Sequence, residues 1–399
     1  MNLWVFTSRF PYPIEKGDKL RLYFQLKELS RAFDITLFTL AEEKPDEEHV
    51  EELLKYCKDL HYVQLRKSNQ IVNTFLSFAQ QLPFQIGYFK NAALARIIKE
   101  QLDLHPPDAI YCHLIRMSEY VRAIPVPKVL DYMDAFSLGM YRASENSRNP
   151  FWRFFYFMES RLCAYYERYI FKYFDGWTII SQQDREALEI LRNDRVTVVQ
   201  NGIDLQQFFF EPQLPFKKQI VFIGNLGYAP NVRAVDYLVN QLMPKLWQED
   251  PAIKLMIAGA RPASWMSQIK DDRVILKGWV EDIREAYAEG SVFVAPLFTG
   301  SGMQNKILEA MAVGLPCVTT SIVNNSIHAQ ASEEIIIAEN VDTFVDEILQ
   351  LLNDKTQFEH IRRKGRKFIE KNYPWENATQ PLVNLLKHLP KHSFQTHAK

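Results

Sequence analysis

An excess of charge of one sign is missing from this chain. Its 47 Lys and Arg stand against 48 Asp and Glu, which excludes the overall basic field that holds nucleic acid. Also missing is an apolar run of the roughly 18 residues that a bilayer-crossing helix needs. The opening Met1-Asn-Leu-Trp-Val-Phe-Thr7 has no charged stretch leading into a long apolar one. It reads as a first β-strand and argues against a cleaved secretion signal. Cysteine is sparse, and Cys57, Cys112, Cys163 and Cys317 are scattered without metal-ligand spacing. Cys112 and Cys317 border apolar strand-like runs and are expected to be buried reduced thiols, which suits the cytoplasm. Solenoid repeats and low-complexity tracts are absent. No Asp-x-Asp element stands at a strand end, so no catalytic divalent ion is expected. No Ser/His/Asp or thiolate constellation suggests a hydrolase.

What is present is an alternation of short β-rich runs and helical patterns over 399 residues, enough for two domains. Runs at Leu3–Thr7, Ile35–Leu40, His61–Leu65, Ala109–Cys112, Lys128–Tyr132, Trp177–Ile180 and Val196–Val199 make the first set. Ile220–Ile223, Leu255–Ala258, Val274–Leu276, Val292–Ala295, Cys317–Thr319 and Glu334–Ile337 make the second. Residues 206–218, with Pro212 and Pro215 and no periodicity, read as a linker between domains 1–205 and 219–374. A last helix in 375–399 is expected to pack back toward the first domain. The fold class is α/β: two Rossmann-like, doubly wound domains facing across a cleft. Ligands of such sheets bind outside the carboxyl ends of the strands, so the loops after strands are the places to look.

The most informative loop follows Val292–Ala295. Thr299-Gly300-Ser301-Gly302 opens a helix from about Met303 to Val313, Gly314 supplies its stop, and Pro316 lies just beyond. Glycines admit a ligand close to the backbone, and N–H groups at a helix start suit a diphosphate. Lys306 adds a point charge there. Glu309, three residues on, shares nearly the same face and can accept hydrogen bonds from ribose hydroxyls. A Gly-turned helix with a solvated Lys–Glu pair is the plainer reading.

The stretch Gly300–Pro316 resembles the donor-binding signature of retaining glycosyltransferases of the GT-B fold, in the large family four. That signature reads Glu-Gly-Phe-Gly, then four residues, then Glu-Ala-Met-Ala-x-Gly-x-Pro. The resemblance implies that Glu309 binds the donor ribose and that Gly302 lies near the diphosphate or donor sugar. Ser301 stands where the family carries its first glutamate, a departure shared with exopolysaccharide-type members that read Asn-Lys-x-Leu-Glu-Ala-Met. Three further segments agree in order. Val199-Gln-Asn-Gly-Ile-Asp204 resembles the element before the interdomain linker, although Asn-Gly is turn chemistry in any fold. Lys277-Gly-Trp-Val-Glu-Asp282 resembles the segment whose backbone reads the base, implying contacts through Gly278 and Val280 with Trp279 as a wall; a Trp there can equally be core packing. Phe222-Ile-Gly-Asn-Leu-Gly-Tyr-Ala-Pro-Asn231 stands where relatives place Arg and Lys on the phosphates. Here Gly224, Asn225 and Asn231 take those positions, so charge compensation falls to Lys306 and amides, with Arg233 as a further candidate or a solvated helix charge.

On the first domain, Gly17 and Asp18 stand where the family has a Gly-Gly pair facing the donor phosphates and the acceptor. Asp18 can equally be a simple helix N-cap. Lys19 and Arg21 either serve an anionic acceptor or are solvated. The family's acceptor-side histidine has no counterpart in Val129-Leu-Asp-Tyr-Met-Asp134. The candidates there are Asp134 or Asp131, as base or orienter of a hydroxyl, and His113, which otherwise is a satisfied structural residue. Residues 149–174 interleave aromatics with Arg153, Arg161, Arg168 and Lys172, as a membrane-surface helix, a lipid-acceptor groove or a helix packed on the first sheet would.

The expectation is transfer of a sugar from a UDP- or GDP-sugar to a hydroxyl of a glycan or lipid-linked acceptor, with Lys306 and amides stabilising the leaving diphosphate and no cofactor beyond the donor substrate. Retention is implied by the resemblance alone. A sugar-nucleotide epimerase and a silent nucleotide-sugar-binding partner are the competing readings.

Overall fold

The computed structural model describes residues 1–65, 70, 72–74, 77, 80, 82–147, 149–188, 190, 193–212, 216–298 and 303–390. Among the described residues thirteen strands form where the sequence places them. β1 (Asn2–Thr7), β2 (Asp34–Ala41), β3 (Asp59–Gln64), β4 (Ala109–His113), β5 (Lys128–Asp131), β6 (Gly176–Ile179) and β7 (Val196–Val198) make one sheet, ordered β3-β2-β1-β4-β5-β6-β7. β8 (Gln219–Ile223), β9 (Lys254–Ala258), β10 (Val274–Gly278), β11 (Val292–Ala295), β12 (Cys317–Thr319) and β13 (Ile336–Ile337) make the other, ordered β10-β9-β8-β11-β12-β13. Every pairing is parallel.

Buried residues on both faces explain why the central strands read as near-continuous apolar runs rather than alternating ones. In β4, β5, β8 and β11 every residue is buried, and helices cover the sheets. Both sheets wind outward from their first strand in two directions. The strand order reverses between β1 and β4 in one and between β8 and β11 in the other, and these switch points are where open α/β sheets take ligands. All four cysteines are buried and unpaired.

The chain divides into Met1–Gln200 with Ala378–Lys399, and Asn201–Asn377. The expected linker does not run free. Phe208 lies in the second unit's core, Arg366 donates to the Phe208 carbonyl at 2.7 Å, and buried Arg362 stacks 4.6 Å over Phe210 and donates to the carbonyls of Glu211 and Pro212. Its described residues therefore belong to the second unit, held by arginines from a distant helix that periodicity within 206–218 could not reveal. The Asn-Gly turn is fixed in the same unit: Ile203 N donates to Tyr373 O at 2.7 Å, and a Cβ on Gly202 would lie 2.5 Å from the Trp375 Cα. The helix Trp375–Lys387 starts in the second unit, and its Leu382, Val383 and Leu386 join the first unit's core.

Candidate active site

At the second unit's switch point, helix Asn305–Val313 follows β11, which ends at Ala295. Thr319 and Thr320 donate to the carbonyls of Ala295 and Leu297 at 2.8 and 2.6 Å, which pins the strand end from which that loop departs. Ser301 and Gly302 lie outside the described residues. Gln304 precedes the helix and makes no side-chain cap hydrogen bond to its first turn. The helix ends as the sequence requires: Gly314 has φ +89°, and a Cβ there would sit 2.6 Å from the Phe210 ring.

Lys306 projects from that first turn. Its ammonium donates to the Asn231 side-chain oxygen at 2.5 Å and lies 5.5 Å from the centre of the Phe222 ring. Among the described residues no carboxylate forms an ion pair with it. Burial lowers its pKa to about 8, while Glu309 acts in the opposite direction. Glu309 accepts a 2.8 Å hydrogen bond from Tyr287, whose hydroxyl also lies 3.1 Å from the Lys306 carbonyl. Burial raises the Glu309 pKa, with the Tyr287 bond and Lys306 opposing. Both side chains keep part of their surface open although protein surrounds most of each, as groups facing a ligand must.

The loop after β8 reaches this site differently from expectation. Asn231, expected on the donor, is only 3% exposed and both its polar atoms are committed within the protein. Its oxygen holds Lys306 and its nitrogen donates to the Asn225 carbonyl at 2.9 Å. It therefore positions Lys306. Asn225 spends its own side-chain oxygen on Gly227 N at 3.0 Å, closing the loop. Gly224 packs beside Asn231, and Arg233 is exposed. Gly259, with φ +147°, is the glycine this corner cannot replace, since a Cβ would stand 1.7 Å from the Gly224 oxygen. Gly259 N donates to Gly278 O at 2.6 Å, which ties the β8, β9 and β10 loop ends together. Gly278 has φ +66°, Val280 rests against the core, and Trp279 is 70% exposed, so it is not core packing.

In the first unit the polar groups sort into two sets. Asp131 is fully buried and holds equally buried Arg21 at 2.9 Å, with Tyr111 and Thr178 donating at 2.9 Å each. Arg21 therefore does not serve an acceptor and Asp131 does not face one; this pair joins the first helix to the sheet. His113 is likewise fully buried, with Nδ1 3.4 Å from the Thr7 hydroxyl, and burial lowers its pKa to about 4. It presents no open face to an acceptor. Asp18 is not an N-cap. The helix Gly17–Leu29 is preceded by Lys16, and Asp18 accepts from Arg9 at 2.6 Å; burial raises its pKa, but Arg9 leaves it net lowered. Gly17 meets only ordinary contact, with the Met133 methyl 3.9 Å from a Cβ there. Lys19 is partly exposed.

Asp134 is the exception. It follows Met133, whose φ is +62°, and its side chain keeps an exposed face. Dense surrounding protein, then Asp184 and Asp131, push it up to about 6 against the opposing Arg116. Arg116 escaped the sequence reading. It follows β4, donates to Gln85 at 2.6 Å and packs against the Phe136 ring at 4.8 Å, and burial lowers its pKa to about 10. A cation soon after a strand at a switch point was the available signal. Tyr287, the donor to Glu309, had none, because it comes from a helix 22 positions away.

Two parallel Rossmann-like sheets with the strand orders given above define an α/β protein of the GT-B fold, with a Lys–Glu helix start at one switch point. Residues 217–354 match the family described as Glycosyl transferases group 1. An uncharacterised 44.6 kDa protein in the cps region of Klebsiella pneumoniae is 25% identical over 388 residues, covering 92% of this chain and 95% of that one. UDP-Gal:alpha-D-GlcNAc-diphosphoundecaprenol alpha-1,3-galactosyltransferase of Escherichia coli is 26% identical over 184 residues, 40% of this chain and 46% of that one. The structure of Anabaena HepE in complex with UDP and glucose superposes with a TM-score of 0.66 at 13% identity, covering 98% and 100% of the two chains. The chain is thus similar to group 1 glycosyltransferases over residues 217–354, and its relatives include a cps-region protein and an O-antigen chain mannosyltransferase. Among the described residues no helix is long and apolar enough to cross a membrane.

Proposed function

We propose that the protein transfers a sugar, with retention, from a UDP- or GDP-sugar to a hydroxyl of a glycan or lipid-linked acceptor, working at the cytoplasmic face of a membrane that carries surface polysaccharide synthesis. The observation that supports this most is Lys306: a cation held by a neutral amide, unpaired with any described carboxylate, at a helix start on a switch point, with Glu309 one turn further on. A diphosphate supplies the missing negative charge there, and the adjoining ribose supplies hydroxyls to Glu309. Stabilising the leaving diphosphate is where such a site lowers the barrier. The UDP-Gal and lipid-diphosphate acceptor in the name of the Escherichia coli relative are consistent with both substrate classes. Asp134, beside Arg116, is the group proposed to orient or deprotonate the acceptor hydroxyl.

Incubation of the pure protein with a panel of UDP- and GDP-sugars tests the reading. Slow release of UDP or GDP supports a transferase. Interconversion of the sugars would mark an epimerase, and binding without turnover would mark a silent partner.

A further inference from the structure

The helix Pro150–Phe171 distributes its charge unevenly. Between Asn149 and Lys172 both acidic side chains are buried and occupied: Glu159 accepts from the amides of Phe84 and Gln85, and Glu167 from the amide and hydroxyl of Ser137. All four basic side chains, Arg153, Arg161, Arg168 and Lys172, are exposed. The outward surface of this one helix thus carries four positive charges and no negative one, within a chain whose formal net charge is −1.

The same surface is apolar where a water-facing helix should be polar. Phe151 is 68% exposed and Phe154 66%, and Trp152, Phe157 and Met158 are exposed beside them. Residues 151, 154, 158, 161, 165, 168 and 172 recur at three- and four-residue spacing, so they form one stripe along the helix. Its amino-terminal half is aromatic and its carboxyl-terminal half carries Arg161, Arg168 and Lys172 around Tyr165, itself 58% exposed. The opposite face, with Cys163, Tyr166 and Ile170, is buried. This helix therefore has a core-facing side already satisfied and a second, unsatisfied apolar side. Tyr141, exposed on the preceding helix Phe136–Asn146, adds to the aromatic surface.

We infer that this stripe is a peripheral membrane-binding face, with anionic lipid as its partner. Exposed aromatics insert at the level of the acyl–headgroup boundary, and the arginine and lysine stems reach the phosphates beside them. Charge decides the occupant: a neutral apolar partner accounts for the phenylalanines, but not for the segregation of every cation outward and every anion inward. A bilayer with negative headgroups accounts for both. The inference gives the membrane-side part of the proposed function a surface, and it stands on residues that take no part in donor binding.

Flotation of the full-length protein with vesicles, in the absence of nucleotide, tests it. Vesicles of phosphatidylcholine with a minor share of phosphatidylglycerol should carry the protein, pure phosphatidylcholine should carry much less, and added salt should release it. Each cation near an anionic surface strengthens partitioning by about fivefold, so Arg153→Gln with Arg161→Gln should weaken it on the order of tenfold or more. Phe151→Ser with Phe154→Ser should weaken it comparably at all salt concentrations. These side chains are exposed, so the melting temperature and the response to UDP or GDP should match the parent. Equal binding to both vesicle types, unchanged binding by both double variants, or no binding at all overturns the inference. So does a shift of the parent's oligomeric state by either double variant without any effect on vesicles, which would assign the stripe to a second copy of the chain. A failed nucleotide response with intact flotation would instead count against the donor site alone.

Discussion

The Lys306 ammonium rests on the side-chain oxygen of Asn231 at 2.5 Å, and Asn231 in turn donates to the Asn225 carbonyl at 2.9 Å. A cation is thereby aimed by a neutral amide, not neutralised by a carboxylate. Replacing Asn231 with Ala should leave Lys306 in place but unaimed, weakening UDP or GDP binding by about tenfold to a hundredfold, since one hydrogen bond to a charged group is worth about 1.5–3 kcal/mol. Isothermal titration checks this, and an unchanged affinity would remove Asn231 from the site.

Nucleotide affinity should fall as the pH rises past about 8, where the free protein's Lys306 loses its proton. A bound diphosphate holds that proton, so the loss approaches about tenfold per pH unit until the bound-state pKa is reached. Lys306→Met should bind weakly at every pH and lack this limb. The sign for stability is opposite. The folded pKa is depressed from 10.5, the unfolded lysine keeps its proton longer, and the free protein therefore gains stability between about 8 and 10.5. Titrations on both sides of pH 8 decide the matter; a flat profile in the parent would dissociate Lys306 from the ligand.

Glu309→Ala should cost about 1.5–3 kcal/mol of nucleoside diphosphate affinity through lost ribose contacts. Tyr287→Phe removes only the donor that orients the carboxylate, so it should cost about 1 kcal/mol or less. The discriminating ligand is inorganic pyrophosphate, which has no ribose: its binding should be indifferent to Glu309→Ala and sensitive to Lys306→Met. Pyrophosphate binding that falls equally in both variants would refute the division of labour.

Asp134 should impose an acid limb on catalysis. Its pKa is raised to about 6, so the ionised form that accepts a proton is depleted below that value, and the rate of donor hydrolysis should fall about tenfold per pH unit there. Asp134→Asn should be slow and should lack the limb. A variant that keeps both the parent's rate and its acid limb would move the acceptor chemistry elsewhere.

The central strands were legible because β4, β5, β8 and β11 are short apolar runs buried on both faces, and burial on both faces leaves a composition signal that needs no partner. Glu309 and Lys306 were legible for a similar reason, being a local pattern three residues apart on one helix. What the sequence hid are relations between distant segments. Arg362 and Arg366 decide that 208–212 is not a free linker, Tyr287 decides how Glu309 is held, and Arg116 faces Asp134 from another strand end. Arg21 misled for the same reason. Near a helix start it reads as a solvated or ligand-binding cation, and only the sheet's return to β5, 110 residues later, shows that it is spent on Asp131.

That last pair makes a stability prediction separable from function. Arg21 and Asp131 are both fully buried, 2.9 Å apart, with Tyr111, Thr178 and the Met133 amide also donating to the carboxylate. Burial pushes the Asp131 pKa up, but Arg21, then His113 and the Thr178 hydroxyl, outweigh it and hold it at about 2. A folded pKa below the unfolded value of 3.8 contributes stability that is complete above that value and is lost as the pH falls from there toward 2. Removing one partner strands the other charge in the core, so Asp131→Ala should destabilise the first unit by about 3–5 kcal/mol. Arg21→Met should fall in the same range, and the two costs should not add. The readout is denaturant unfolding at neutral pH, followed by circular dichroism with UDP or GDP absent. A cost under about 1 kcal/mol for Asp131→Ala would mean that water reaches the pair and that the helix Gly17–Leu29 is held to its sheet by apolar packing alone.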